Sequence, residues 1–112
     1  NEYYASVMRK SLANQYSLKY VDSHRSELKK LGGWKQVDEY LKEKGVFNDF
    51  LRYIADNGIV RPASVPTVIT EQLERVMTAA ILYDALDMQD YMAYINTFDT
   101  TVLKAIEILE EK

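Results

Sequence analysis

Asp22, Ser23 and His24 set three residue types of hydrolytic chemistry side by side. A serine hydroxyl becomes a nucleophile only when a base takes its proton and an acid orients that base, so the three groups must converge in space. On a helix, adjacent side chains point about 100° apart and do not converge. The trio therefore reads as helix surface, with His24 a half-buried helix residue. Asp84, Asp87 and Asp90 recur every three residues. Asp84 and Asp87 could share a face, and clustered carboxylates hold hard cations such as Ca²⁺ or Mg²⁺. The segment lacks the glycine turn and the closing Glu of an EF-hand loop. Asp87 is better explained as a helix N-cap, and Asp90 as a first-turn acid at the positive end of the helix dipole. Glu71 and Glu74 have the makings of a glycosidase carboxylate pair. Three apart in a first helical turn, they serve the dipole more simply, with Glu74 beside Arg75 on a solvated face. One His and no Cys exclude a thiolate zinc site, a disulfide, a cysteine nucleophile and a His-pair metal site within one chain. The expectation is no catalytic residue, no metal site and no cofactor.

The nine tyrosines are the unusual feature. Tyrosine buries a ring while its hydroxyl keeps a polar partner, which suits it to interfaces. Tyr4, Met8, Leu12, Tyr16 and Tyr20 recur every four residues. On a 3.6-residue helix such a stripe drifts by about 40° per step. These five residues form a candidate docking face; the plain alternative is an ordinary half-buried core. Trp34 reads as a core plug after a Gly-Gly turn.

The elements that position these groups are helices. Residues 2–31 make a long first helix whose second half carries a different seam, at Val21, His24, Leu28 and Leu31. Either the helix kinks, or its two halves pack against different things. Gly32-Gly33 stops it. A short helix follows with Trp34, Val37, Tyr40 and Leu41 on one side, ended by Gly45. The next has Phe47, Phe50, Leu51 and Ile54 on one face and closes at Asn57-Gly58. Residues 59–69 form the one real loop, biased toward extended backbone by Pro62 and Pro66; residues 65–69 make only a weak strand candidate. Thr70 is the expected N-cap of a helix to about Leu86. From Val76 that helix is apolar nearly all round, which marks a buried one. Asp87 caps a helix with Met88, Tyr91, Met92 and Ile95. Asp99 caps the last, with Val102, Leu103, Ile106 and Leu109 on its apolar face. That helix closes on Glu110 and Glu111 at the negative end of the dipole, where fraying is expected. The fold class is all-α: an orthogonally packed bundle of five to six helices in a single domain spanning 1–112.

Composition narrows the partners. Apolar residues at 47% and charged residues at 28% are a globular balance, not a disordered one. Acids outnumber bases 17 to 14, which disfavours nucleic acid or an anionic membrane as the main partner. No apolar run approaches the roughly 20 residues of a membrane span. The opening Asn1-Glu2-Tyr3-Tyr4 lacks the basic start and apolar core of a signal peptide. The ends read as domain boundaries, so the chain is expected to be the C-terminal part of a larger protein.

Residues 16–30, Tyr-Ser-Leu-Lys-Tyr-Val-Asp-Ser-His-Arg-Ser-Glu-Leu-Lys-Lys, resemble the helical tail of carboxyl-terminal processing (tail-specific, tricorn-like) serine proteases, especially the exported ones of Bacteroidetes. Those tails carry an aromatic-rich helix reading like Phe-Ala-x-Asp-Tyr-Val-Asp-x-His-Arg. A short helix ending at Gly-Ile follows, matched here from Phe47 to Gly58-Ile59. Next comes a helix apolar all round, matched from Leu73 to Leu86. The tails close on a Tyr-rich helix, an Asn-x-x-Asp link at Asn96 and Asp99, and an Ala-Ile-x-x-Leu helix at Ala105, Ile106 and Leu109. The likeness covers most of residues 12–110, and it lies in the order of packing patterns. Where proline often follows the closing Asp, this chain has Thr100. The Ser nucleophile and Lys base of such proteases have no counterpart here.

The resemblance implies a non-catalytic helical domain of an exported, periplasmic or envelope serine peptidase. It would pack on the protease catalytic core of the parent chain or on another subunit, and shape access to the active site. Homo-oligomerisation is open; nucleic acid and membrane insertion are not expected. Two other readings stand beside it. One is a free-standing helical protein-interaction module. The other is a small enzyme or metal-dependent protein using Asp84, Asp87 or His24.

Overall fold

The opening helical stretch is two helices, not one. In a computed structural model, which describes residues 1–98, α1 spans Glu2–Arg9 and α2 spans Leu12–Lys30. Asn1 caps α1, its side chain accepting the Tyr4 N–H at 3.0 Å. Between the helices Ser11 adopts φ 53°, a left-handed conformation uncommon outside glycine, and the chain turns there. The turn absorbs the drift of the four-residue stripe. Val7 and Met8 on α1, and Leu12, Ala13 and Tyr16 on α2, all reach the interior.

α2 bends again at His24, whose backbone leaves the helical region at φ −129°, ψ 17°. The His24 Nδ1 hydrogen-bonds the Tyr20 carbonyl at 2.9 Å, and its ring stacks on Tyr20 with centroids 4.1 Å apart. A side chain bonded to the carbonyl one turn back is a recognised cause of a kink. The kink that the sequence offers as one explanation is therefore present at His24, and a full break precedes it at Ser11. Gly32, at φ 97°, then reverses the chain where any side chain would be strained.

α3 (Trp34–Glu43) and α4 (Val46–Asp56) follow as the sequence predicts. α5 (Thr67–Ala85) starts three residues before the expected cap. Pro66 holds the N-cap position at φ −55°, and its carbonyl accepts the N–H groups of Ile69 at 3.0 Å and Thr70 at 3.2 Å. A residue with fixed φ and no N–H to lose suits that place, so Thr70 closes the first turn and Glu71 opens the second. Residues 65–69 are not a strand, and the described residues contain none. Asp87 caps α6 (Met88–Ile95) as expected, accepting the Asp90 N–H at 2.9 Å.

α5 is the centre of the core, as its all-round apolar pattern predicts. Leu73, Val76, Met77, Ala79, Ile81 and Leu82 are all buried on it. α2 lies along it, fixed where the fully buried Ser17 hydroxyl donates to the Asp84 carboxylate at 2.5 Å. Val37 and Leu41 of α3, Phe50 and Ile54 of α4, and Tyr91 and Ile95 of α6 close the remaining sides. No described helix is long and apolar enough to cross a membrane. The helix expected after Asp99, with Val102, Leu103, Ile106 and Leu109, and the fraying at Glu110 and Glu111, lie outside the described residues.

Candidate functional site

Tyr4, Met8, Leu12, Tyr16 and Tyr20 do not form an outward docking face. Met8, Leu12 and Tyr16 are core residues, and Tyr4 and Tyr20 are half-buried against the core. The turn at Ser11 points the stripe inward, and α3 and α4 cover it. The Tyr16 ring packs against Phe50 at 5.3 Å and Tyr53 at 5.5 Å, and stacks on Tyr20 at 6.0 Å. Its hydroxyl donates to Asp49 Oδ2 at 2.7 Å. Asp49 in turn takes an Arg52 guanidinium at 3.0 Å. The Tyr20 hydroxyl bonds to that of Tyr40, which donates to Glu27 at 2.6 Å. Burial, then the hydrogen bond to Asp49, pushes the Tyr16 phenol well above its ordinary range. The same hydrogen bond, helped by Arg52, holds the Asp49 carboxyl below its ordinary range. The seam is a set of satisfied hydroxyls that ties α2 to α3 and α4. One member of the stripe departs from this. The Tyr4 hydroxyl oxygen is buried without a hydrogen-bond partner, and we have no physical account of it.

The other chemical candidates separate in the same way. Asp84 accepts from Ser17, Asp87 from the Asp90 N–H, and Asp90 from the Trp34 N–H at 3.1 Å. Three carboxylates at regular spacing thus face three partners. Asp90 serves as the cap that α3 lacks, since Gly33 at its N-cap position has no side chain to offer. Sequence reasoning placed Asp90 at the start of its own helix and missed this role, which only tertiary contact creates. Asp22 pairs with Arg25 at 3.5 Å, and the Ser23 hydroxyl donates back to the Lys19 carbonyl, so neither faces His24. Among the described residues no group of three or more His, Cys, Asp or Glu side chains could hold a metal ion.

Two hollows are lined by described residues. One hollow of about 390 Å³ lies between α1 and the chain after α4, lined by Tyr3, Arg9, Lys10 and Ile59 among others. A second, of about 300 Å³, lies between α3, α5 and α6, with Trp34, Asp38, Glu74 and Tyr94 in its wall. Trp34 is half-buried there, its ring 5.5 Å from that of Tyr94. It walls a groove more than it plugs a core. Large apolar side chains are exposed singly at Leu18, Val60 and Val68, and three more lie at the end of α5 and on α6. Tyr83 at the end of α5 is 54% exposed, and Met88 and Met92, one turn apart on α6, are 55% and 43% exposed. The Tyr83 ring meets Tyr91 of α6 edge-on at 5.1 Å.

A model of DUF8443, a family of unknown function, matches residues 3–87, from the start of α1 to the cap of α6. No curated protein and no solved structure matches the chain. The chain belongs to the DUF8443 family.

Proposed function

We propose that this family member is a non-catalytic helical domain of an exported serine peptidase, which packs on the protease core or on a partner subunit and shapes access to the active site. The observation that carries the packing role is the apolar surface at the α5–α6 junction. Tyr83, Met88 and Met92 together leave large apolar side chains in water, and such patches mark interaction sites more often than isolated exposed residues do. The peptidase assignment rests on the resemblance of residues 12–110. The residues that carry it, Tyr16, Val21, Leu28, Phe50, Ile54, Leu73, Tyr91 and Tyr94, are buried packing residues, as in any helical bundle. A domain whose shared features are packing features has structure, not chemistry, to contribute. An envelope location is part of the same proposal.

The test has two stages. The reading frame that encodes this chain is examined for a Ser/Lys protease core. The chain is then titrated calorimetrically against that core prepared without it. Saturable binding that Met92→Glu weakens at least tenfold, with changed peptidase activity on addition of the chain, is the expected result. A frame without a protease core, or a core that neither binds the chain nor responds to it, would leave the alternative of a free-standing interaction module.

A further inference from the structure

Trp34, Asp38 and Lys42 fall four apart on α3 and share one face. Opposite them stand Glu71, Glu74 and Arg75 from the first turns of α5, and Tyr94 and Phe98 from the end of α6. The groove between has a volume of about 300 Å³. That matches the small end of ligand sites and is room for an extended side chain. Three rings wall it: Trp34 against Tyr94 at 5.5 Å, tilted by 53°, and Tyr94 against Phe98 at 4.6 Å, tilted by 80°.

Ring faces are negative and attract cations. The chain's own cations already show that pull. Arg75 lies 5.6 Å from the Phe98 centroid and Lys35 5.7 Å from that of Trp34. Of the three carboxylates, Asp38 is matched by Lys42 at 3.2 Å. Glu71 and Glu74 have no ion pair or hydrogen bond among the described residues. Two carboxylates without an ion pair therefore stand beside three rings at a concave place, and with Lys42 and Arg75 counted against Asp38, Glu71 and Glu74 the lining keeps one negative charge in excess.

We infer that this groove binds an alkylammonium group, in protein terms a lysine side chain of a polypeptide. The methylene stem lies along the rings, where it loses water at little cost, and the compact ammonium takes up Glu71 and Glu74. Lys42 is a built-in competitor, since it occupies Asp38, one of the two half-buried carboxylates of the groove. This site is separate from the α5–α6 apolar surface and does not rest on the proposed function.

Trp34 is the chain's single tryptophan, so its emission reports on the groove directly. The full 112-residue chain is titrated with Nα-acetyl-lysine methylamide at fixed ionic strength, and in parallel with Nα-acetyl-norleucine methylamide, which has a similar stem and no charge. The expected result is a saturable emission change with a dissociation constant on the order of a millimolar, and binding of the norleucine compound at least about tenfold weaker. Glu74→Gln weakens lysine binding about three- to tenfold. Lys42→Met, which frees Asp38, strengthens it at least about twofold. Both substitutions are at partly or largely exposed side chains, and melting curves check that the fold persists. No saturable change, equal response to the norleucine compound, or a shift in the same direction for both substitutions would overturn the assignment.

Discussion

Tyr16 and Tyr20 on α2, and Tyr83 beside Met88 and Met92 at the α5–α6 junction, are made of similar residues and have opposite fates. On α2 the rings are covered by α3 and α4, and each hydroxyl finds an acceptor: Asp49 for Tyr16, Tyr40 and then Glu27 for Tyr20. At the junction no described element covers the rings to the same degree, and Tyr83 stays 54% exposed. Residue type alone does not decide burial of a tyrosine. What decides it is whether a neighbouring helix covers the ring; for Tyr16 and Tyr20 the neighbours also supply an acceptor, whereas Tyr4 is covered without one. An interface signature on a helix can therefore be an interface already closed within the same chain.

The contrast is broken most severely by truncation. Tyr16→Ala leaves a cavity among Phe50, Tyr53 and Tyr20 and an Asp49 carboxylate with Arg52 as its remaining donor. It is expected to cost about 3–5 kcal/mol in urea denaturation. Tyr83→Ala is expected to cost less than about 1 kcal/mol. Equal costs would erase the distinction between the two regions.

A finer pair of substitutions sharpens it within the α2 stripe itself. Tyr16→Phe removes a satisfied hydroxyl and is expected to destabilise by about 1 kcal/mol. Tyr4→Phe removes a hydroxyl buried without a partner, so it is expected to be neutral or to stabilise by up to about 1 kcal/mol. Loss of stability in Tyr4→Phe matching that of Tyr16→Phe would mean that Tyr4 has an acceptor after all.

The smallest effect is a pH dependence. The folded state holds the Asp49 carboxyl below its ordinary 3.8. The unfolded chain therefore takes up that proton first as pH falls. The stabilisation from Asp49 is full above about pH 4 and is lost as pH drops toward the depressed folded value. Urea midpoints of the parent chain and of Asp49→Asn should lie further apart at pH 6 than at pH 3. A gap that widened at pH 3 would contradict the sign.

Much of the fold was legible because helix signals are local. Gly32-Gly33, Gly45, Asn57-Gly58 and Asp87 mark ends that the structure keeps, and the all-round apolar run after Val76 marked the central helix. The break at Ser11 was not legible, because a serine in a left-handed conformation leaves no mark in a pattern of hydrophobicity. The start of α5 lies four residues before the expected one because Thr70 is a better capping side chain than Pro66, while the backbone geometry of Pro66 is enough. The candidate site fared worse. The tyrosine stripe leaves a docking face and a half-buried core equally open, because periodicity reports a shared face without saying what faces it. The groove at Trp34 is assembled from α3, α5 and α6, segments up to about sixty residues apart, and no spacing rule joins them. Asp90 shows the same limit, since its acceptor role belongs to a helix that ends far upstream.

Native-state oxidation of the four methionines with dilute peroxide tests the division between the two regions most directly. Met8 on the inward stripe is 9% exposed and Met77 in the core 1%, against 55% for Met88 and 43% for Met92. Sulfoxide formation follows access to the sulfur. Peptide mass spectrometry should find Met88 and Met92 converted at rates near those of free methionine, while Met8 and Met77 react slowly and together, at a rate set by unfolding. Met8 oxidising as fast as Met88 in a chain whose Met77 stays protected would put the α1–α2 stripe back on the surface and contradict this reading.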